Sequence, residues 1–221
     1  MFSKLKEFRD NRRRKRIERS AKLIRNSKAI KEDRWAAIDF FARLQEPEIA
    51  VPALMGRFDY SLEHGINDTR EKEAALKGIV SFGEEALPHV KNHLKKTTRI
   101  AWPIKAIKQL GSEDQVVNIL KEALNFGDID FDQNQVDKNY DILCYLVDYQ
   151  VPDYVEKIAH FLKDADERVR FACTEVLVEQ DNPAVPGLLE KFLIDESSEN
   201  TRIRHLVLEA FADKNWTIAN P

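Results

Sequence analysis

Proline or valine recurs in near-identical contexts at Pro52, Pro88, Val116, Pro152 and Pro186, with spacings of 36, 28, 36 and 34 residues. That period is the length of one helical hairpin, which cannot bury its apolar face alone and must stack on a neighbour. The recurrence predicts a chain of stacked hairpins, and with it an extended surface suited to binding.

Apolar residues spaced by three and four predict first helices over 33–44, 69–82, 99–110, 136–149, 167–179 and 201–213. Second helices are predicted at 48–63, 85–96, 113–125, 152–163 and 184–194. Pro52, Pro88, Pro152 and Pro186 fall near the starts of four of these, where a missing backbone donor costs little, and Pro52 stands one turn in. Gly83 and Gly111 are placed to end two first helices, Asp114 and Asp153 to put negative charge in first turns, and Pro103 to mark a start. The segments 64–68 and 127–135 interrupt the rhythm and are expected to lengthen connections between hairpins. Asp128, Asp130 and Asp132 alternate as in a calcium loop, which needs Gly at position six and Glu at position twelve. Counted from Asp128 these are Gln133 and Asn139, so the segment reads as a solvated loop.

A hydrophobic fraction of 43% over 221 residues suffices to bury a core. Cys144 and Cys173 match neither a disulfide framework nor a zinc cluster, and both are expected to be buried thiols. Residues 1–8 contain no apolar run of signal-peptide length, and no stretch approaches the roughly 18 apolar residues of a membrane span, so a cytoplasmic location is expected. The formal charge of −3 conceals a polarity. Residues 1–28 hold twelve Lys or Arg against Glu7, Asp10 and Glu18, a net of +9, which leaves −12 on residues 29–221.

The clearest repeat unit spans 161–177 and 182–193. Leu162, Asp164, Val169, Arg170, Ala172 and Leu177 follow a Leu, Asp, Val-Arg, Ala, Leu pattern, and the unit resembles HEAT-repeat proteins, in particular bacterial HEAT-like repeats of the phycocyanobilin-lyase type. In physical terms Ala172 lets two helices approach, Val169, Val176 and Leu177 fill the hairpin core, and Asp164 separates two helices. Arg170 is similar to the family's repeated arginine, which pairs with an acidic group of an adjacent repeat. Weaker copies are Arg34 with Ala37 and Leu44, Arg70 with Ala74, Ala75 and Ile79, Lys105 with Ala106 and Leu110, and Arg204 with Leu208 and Phe211. The segment 139–147 carries Cys144 where a small core residue is expected. The resemblance covers about residues 30–215 and implies an all-α fold, a right-handed α-solenoid of about five to six HEAT-like helical hairpins. It occupies 31–221, after a basic helical leader or cap at 1–30. Such repeats serve scaffolds, adaptors, chromophore-lyase subunits and some base-excision enzymes, so the resemblance speaks to fold more than to activity.

The first functional expectation is a non-catalytic scaffold or adaptor that holds a protein partner on the concave face, which by the resemblance is lined by second helices. The more polar positions of those helices are its candidate contacts: Asp59, Glu63, Lys91, Lys95, Asn118, Lys121, Glu156, His160 and Lys163. The alternative is a nucleic-acid-binding protein using residues 1–28, above all Arg12, Arg13, Arg14, Lys15, Arg16 and Arg19; an anionic membrane surface ranks lower. As a helix the leader groups Phe2, Leu5 and Phe8, then Ile17, Ala21 and Ile24. It is expected to be helical and packed over 17–30 with the 12–16 run exposed. A third reading, a HEAT-like DNA glycosylase, rests on Trp35 and Asp39, one helical turn apart, and is opposed by the acidic body. His89 and His93 share a helix face without the paired His-Glu dipeptides of metal-binding repeats, and are expected on an exposed surface. No Gly-x-Ser-x-Gly elbow or glycine-rich phosphate cradle occurs, and neither cofactor nor metal is expected.

Overall fold

The computed structural model describes residues 2–127, 132–194 and 200–218, with side chains in the first helix from residue 6. These residues form α-helices and short 3-10 turns, without a strand among them. The α-helices are α1 (Phe2–Ile24), α2 (Lys31–Ala42), α3 (Pro47–Met55), α4 (Gly65–Val80), α5 (Leu87–Lys96), α6 (Ala101–Leu110) and α7 (Glu113–Ala123), followed by α8 (Gln133–Leu146), α9 (Val155–Ile158), α10 (Glu167–Glu179), α11 (Val185–Leu189) and α12 (Thr201–Asp213). The chain divides into two compact units, 1–116 and 117–221.

Local chemistry accounts for the helix ends. The Asp132 and Asp166 carboxylates cap α8 and α10 by accepting from the Asn134 and Arg168 amides at 3.1 and 2.8 Å. Pro88 and Pro186 occupy first-turn positions of α5 and α11, and Pro47 does so in α3. After α12, Asn215 adopts φ +52° and the Trp216 amide donates to the Phe211 carbonyl at 3.0 Å, a Schellman-type stop using asparagine in place of glycine.

In the first unit α1 packs on α2, α2 on α4 and α4 on α6, while α3 packs on α5. Phe41, Leu54, Met55, Ile79, Val90, Leu94 and Ile104 are essentially inaccessible between these helices. A Cβ on Gly78 would stand 3.0 Å from Ala42 Cβ and 3.1 Å from Leu54 Cδ1, so a bare backbone lets α2, α3 and α4 meet there. In the second unit α8 packs on α10 and α10 on α12. Val169, Ala172, Val176 and Leu177 are all fully buried, as their spacing predicts. Each of the buried Val and Leu side chains contributes about 1.5–3 kcal/mol through burial.

Several expectations are corrected. Residues 65–68 belong to α4, because Asp68 folds its carboxylate back to accept from the Leu62 amide at 3.0 Å and so anchors the helix start. The leader helix stops at Ile24; Asn26, whose carbonyl accepts from Ala29, starts a turn, and Ile30 is exposed at the start of α2. Second helices are shorter than predicted. α3 gives way to a 3-10 turn at 56–59, and α9 is flanked by 3-10 turns at 152–154 and 159–163. Pro52 lies inside α3, beyond its first turn. Cys144 is exposed, since α8 buries Ile142, Leu143 and Leu146 and turns the thiol outward. Asp128 and Asp130 lie outside the described residues.

Candidate functional site

Charge buried inside the first unit is engaged in architecture. Glu71 and Arg57 are fully buried and Arg34 nearly so. Arg34 Nη2 donates to Glu71 Oε1, while Arg34 Nε and Arg57 Nε both donate to Oε2, each at 2.9 Å. Arg57 continues to Asp68 Oδ1 at 2.7 Å, and Lys72 Nζ donates to Asp68 Oδ2 at 2.7 Å. Burial pushes the Asp68 carboxyl up, but hydrogen bonds from Lys72, Arg57 and the Leu62 amide outweigh it and hold the group below the usual carboxylate range. Burial raises the Tyr60 hydroxyl against the opposing charges of Arg57 and Arg34. With both oxygens engaged by three donors from two arginines, Glu71 is a structural counterion.

Polar residues in the early turns of other helices make comparable ties. Arg34 also donates to the Ser27 carbonyl at 3.4 Å and to the Ala29 carbonyl. Asn139 exchanges hydrogen bonds with the Asn125 main chain at 3.0 and 2.9 Å. Arg170 donates to the Asp164 and Ala165 carbonyls at 2.9 Å and to Asn200 Oδ1 at 3.1 Å. Arg170 thus ties a first helix to the segment before it. In α4 the tie is made by Glu71; Arg70, its neighbour in the sequence pattern, is exposed.

The nine candidate partner contacts are distributed over both units. In the first, Asp59 Oδ1 lies 3.0 Å from His93 Nε2, which places His93 against the 56–59 turn with little exposure; Glu63 and Lys95 are exposed and Lys91 is half-buried. His89 is half-buried one turn away. In the second unit Asn118, Glu156, His160 and Lys163 are exposed. Lys121 pairs with Asp153 at 3.1 Å and lies 5.1 Å from the centre of the Tyr154 ring; its hydrogen bond holds the Asp153 carboxyl below its ordinary range. Lys157 approaches the same ring at 5.0 Å. His160 meets Phe126 edge-on at 5.9 Å, and Phe126 meets Tyr154 at 6.3 Å and Phe161 at 5.1 Å. Lys121 and His160 are therefore parts of one aromatic and cationic patch completed by Phe126, Tyr154 and Lys157. Sequence reasoning missed the two aromatic rings; Phe126 just past α7 and Tyr154 beside Pro152 were the available signals.

The leader presents a second surface. Ile24 is buried and Ile17 and Ala21 are half-buried against the body, while the half-buried Leu23 borders the outer face. Arg13 pairs with Glu46, Arg16 lies over the Phe40 ring at 4.5 Å, and Arg25 crosses Gly56 to donate to the Pro52 carbonyl at 3.2 Å. Tyr60 donates its hydroxyl to the Ile24 carbonyl at 2.7 Å. Of the six expected recognition residues, Arg13 and Arg16 thus face the body and Arg14 lies 3.8 Å from Glu18. Arg12, Lys15 and Arg19 remain on the outer face, where Lys22 joins them. Phe2 and Leu5 side chains lie outside the described residues.

Trp35 is half-buried, and Asp39, on the exposed side of α2, pairs with Arg43 at 2.8 Å. Among the described residues there is no cluster of three His, Cys, Asp or Glu able to hold a metal ion, and no helix long and apolar enough to cross a membrane. Compared with known proteins, the chain matches no family model, no curated protein and no solved structure.

Proposed function

We propose that the chain is a non-catalytic protein-binding scaffold, its helix pairs continuing as a right-handed α-solenoid of the HEAT-like kind. The polar residues Arg34, Glu71, Asn139 and Arg170 support the repeat reading, because each links a first helix to a neighbouring segment. The observation that carries the binding reading is the patch formed by Phe126, Tyr154 and His160 with Lys121 and Lys157. Aromatic rings with polar tips and cations held over them combine large contact area with few rotatable bonds, the composition of interface anchor points. A partner with an acidic or carboxylate-bearing surface complements it.

The test compares partner recovery by the full-length protein with recovery by Tyr154→Ala plus His160→Ala, and separately by Lys91→Glu plus Lys95→Glu, read by quantitative mass spectrometry. The aromatic double variant is expected to lose at least tenfold of the specifically retained partner at unchanged helicity, a loss of about 1.4 kcal/mol or more. Recovery by both variants equal to that of the unsubstituted protein would remove the second-helix surface as the binding face.

A further inference from the structure

The docked side of α1 fixes what its other side offers. Ile17 and Ile24 face the body, so the exposed positions at 8, 12, 15, 19 and 22, spaced by four and three, form one straight stripe on the outer face. Phe8 is 59% exposed and has the Arg12 guanidinium 5.6 Å from its ring centre. Arg12, Lys15, Arg19 and Lys22 have no carboxylate partner among the described residues. Lys15, Arg19 and Lys22 line one shallow depression together with Glu18.

We propose that this stripe is a binding track for single-stranded nucleic acid, with the phosphates on the cations and a base stacked on Phe8. From residue 12 to residue 22 the helix rises about 15 Å, so its four cations repeat about every 5 Å. One stacked strand carries a phosphate roughly every 3.4 Å of axis, so the four cations can meet about as many phosphates along their length. An exposed aromatic in line with a cationic track is the pairing that holds single strands without reading their sequence. The track is narrow. Glu7 and Glu18 lie along one flank of the same helix, which leaves room for one strand and disfavours the second strand of a duplex. A bilayer is disfavoured because Ile17 and Ile24 are turned to the body, which leaves Phe8 and the half-buried Leu23 as the apolar groups on the outer face among the described side chains. The inference is independent of the second-helix surface, which belongs to other elements.

The experiment measures binding of the full chain to a fluorescent 15-nucleotide oligouridine by anisotropy between 50 and 200 mM salt. Four phosphate contacts predict a slope of about −2.8 in log affinity against log salt, a loss of about fiftyfold across that range. Lys15→Gln with Lys22→Gln is expected to halve the slope, whereas Arg12→Lys and the remote Lys77→Gln leave it unchanged. Phe8→Ala is expected to weaken binding about tenfold with the slope intact. These positions are exposed, and an unchanged melting curve for each variant shows that the fold is kept. Absence of binding at 50 mM salt overturns the proposal. So does a slope insensitive to Lys15 and Lys22, an affinity insensitive to Phe8, equal displacement by polyglutamate, or preferential binding to phosphatidylserine vesicles.

Discussion

Replacing Glu71 by Gln tests whether the buried charge network holds the first unit together. The substitution preserves shape but turns one oxygen into a donor. Oε2 can keep its bonds from Arg34 Nε and Arg57 Nε, whereas the new amide nitrogen at Oε1 opposes Arg34 Nη2, donor against donor. Arg34 loses its counterion, and Arg57 retains Asp68 alone. Removing one partner of a buried ion pair costs about 3–5 kcal/mol, and the surviving oxygen puts Glu71→Gln near the lower end, at about 3 kcal/mol. With a urea dependence of about 2 kcal/mol per molar, the unfolding midpoint moves down by about 1.5 M. Trp35 and Trp102 lie in the first unit and Trp216 in the second, so fluorescence in a Trp216→Phe background reports the unit concerned. The comparison is Asp39→Asn, which removes the exposed pair with Arg43, side chains 57% and 79% exposed, and is expected to cost under about 0.5 kcal/mol. If Glu71→Gln shifts the midpoint no further than Asp39→Asn, the reasoning about the network is wrong.

The depressed Asp68 carboxyl stabilises the folded state fully above its unfolded value near 3.8, and that stabilisation is lost as pH falls through the lower folded value. The stability difference between wild type and Asp68→Asn should therefore close between about pH 4 and pH 2; a difference that stays constant there contradicts the ion-pair assignment. Burial, together with the charges of Glu175 and Asp141, raises the exposed Cys144 thiol, and Cys173 is raised further by complete burial. A thiol reagent should accordingly modify one cysteine in the native protein, faster as pH rises beyond the ordinary thiol range, and the second only in urea; two equally fast thiols would contradict this.

The helical class and most first helices were legible because a helix that buries one stripe against neighbours must space its apolar residues by three and four. The predicted 167–179 and 201–213 coincide with α10 and α12. Where tertiary contacts overrode local signals, the reading slipped. Glycine and asparagine at 65–67 suggest a loop, yet the Asp68 cap and its buried partners draw them into α4. Glu71 was hidden because a carboxylate amid Arg70 and Lys72 looks like a solvated face, and its partners are 37 and 14 residues away. The outer stripe of α1 was only half legible. Composition revealed the charge, but which cations Glu46 and Phe40 occupy depends on the way the helix docks.

The joint between α1 and the body adds hydrogen bonds to main-chain carbonyls to the burial of Ile24. Tyr60 holds the carbonyl of Ile24, Arg34 those of Ser27 and Ala29, and Arg25 that of Pro52. Carbonyls are the same in every amino acid, so these bonds do not depend on the outward side chains of α1, whose inward residues Ile24, Arg13 and Arg16 make the rest of the joint. The outward residues of α1 can be rewritten wholesale, in charge or in aromatic content, while the hinge-end chemistry stays as it is. The leader is in that respect an interchangeable fitting on a fixed mount, and grafting a different outer stripe onto it should transfer a binding preference without re-engineering the core.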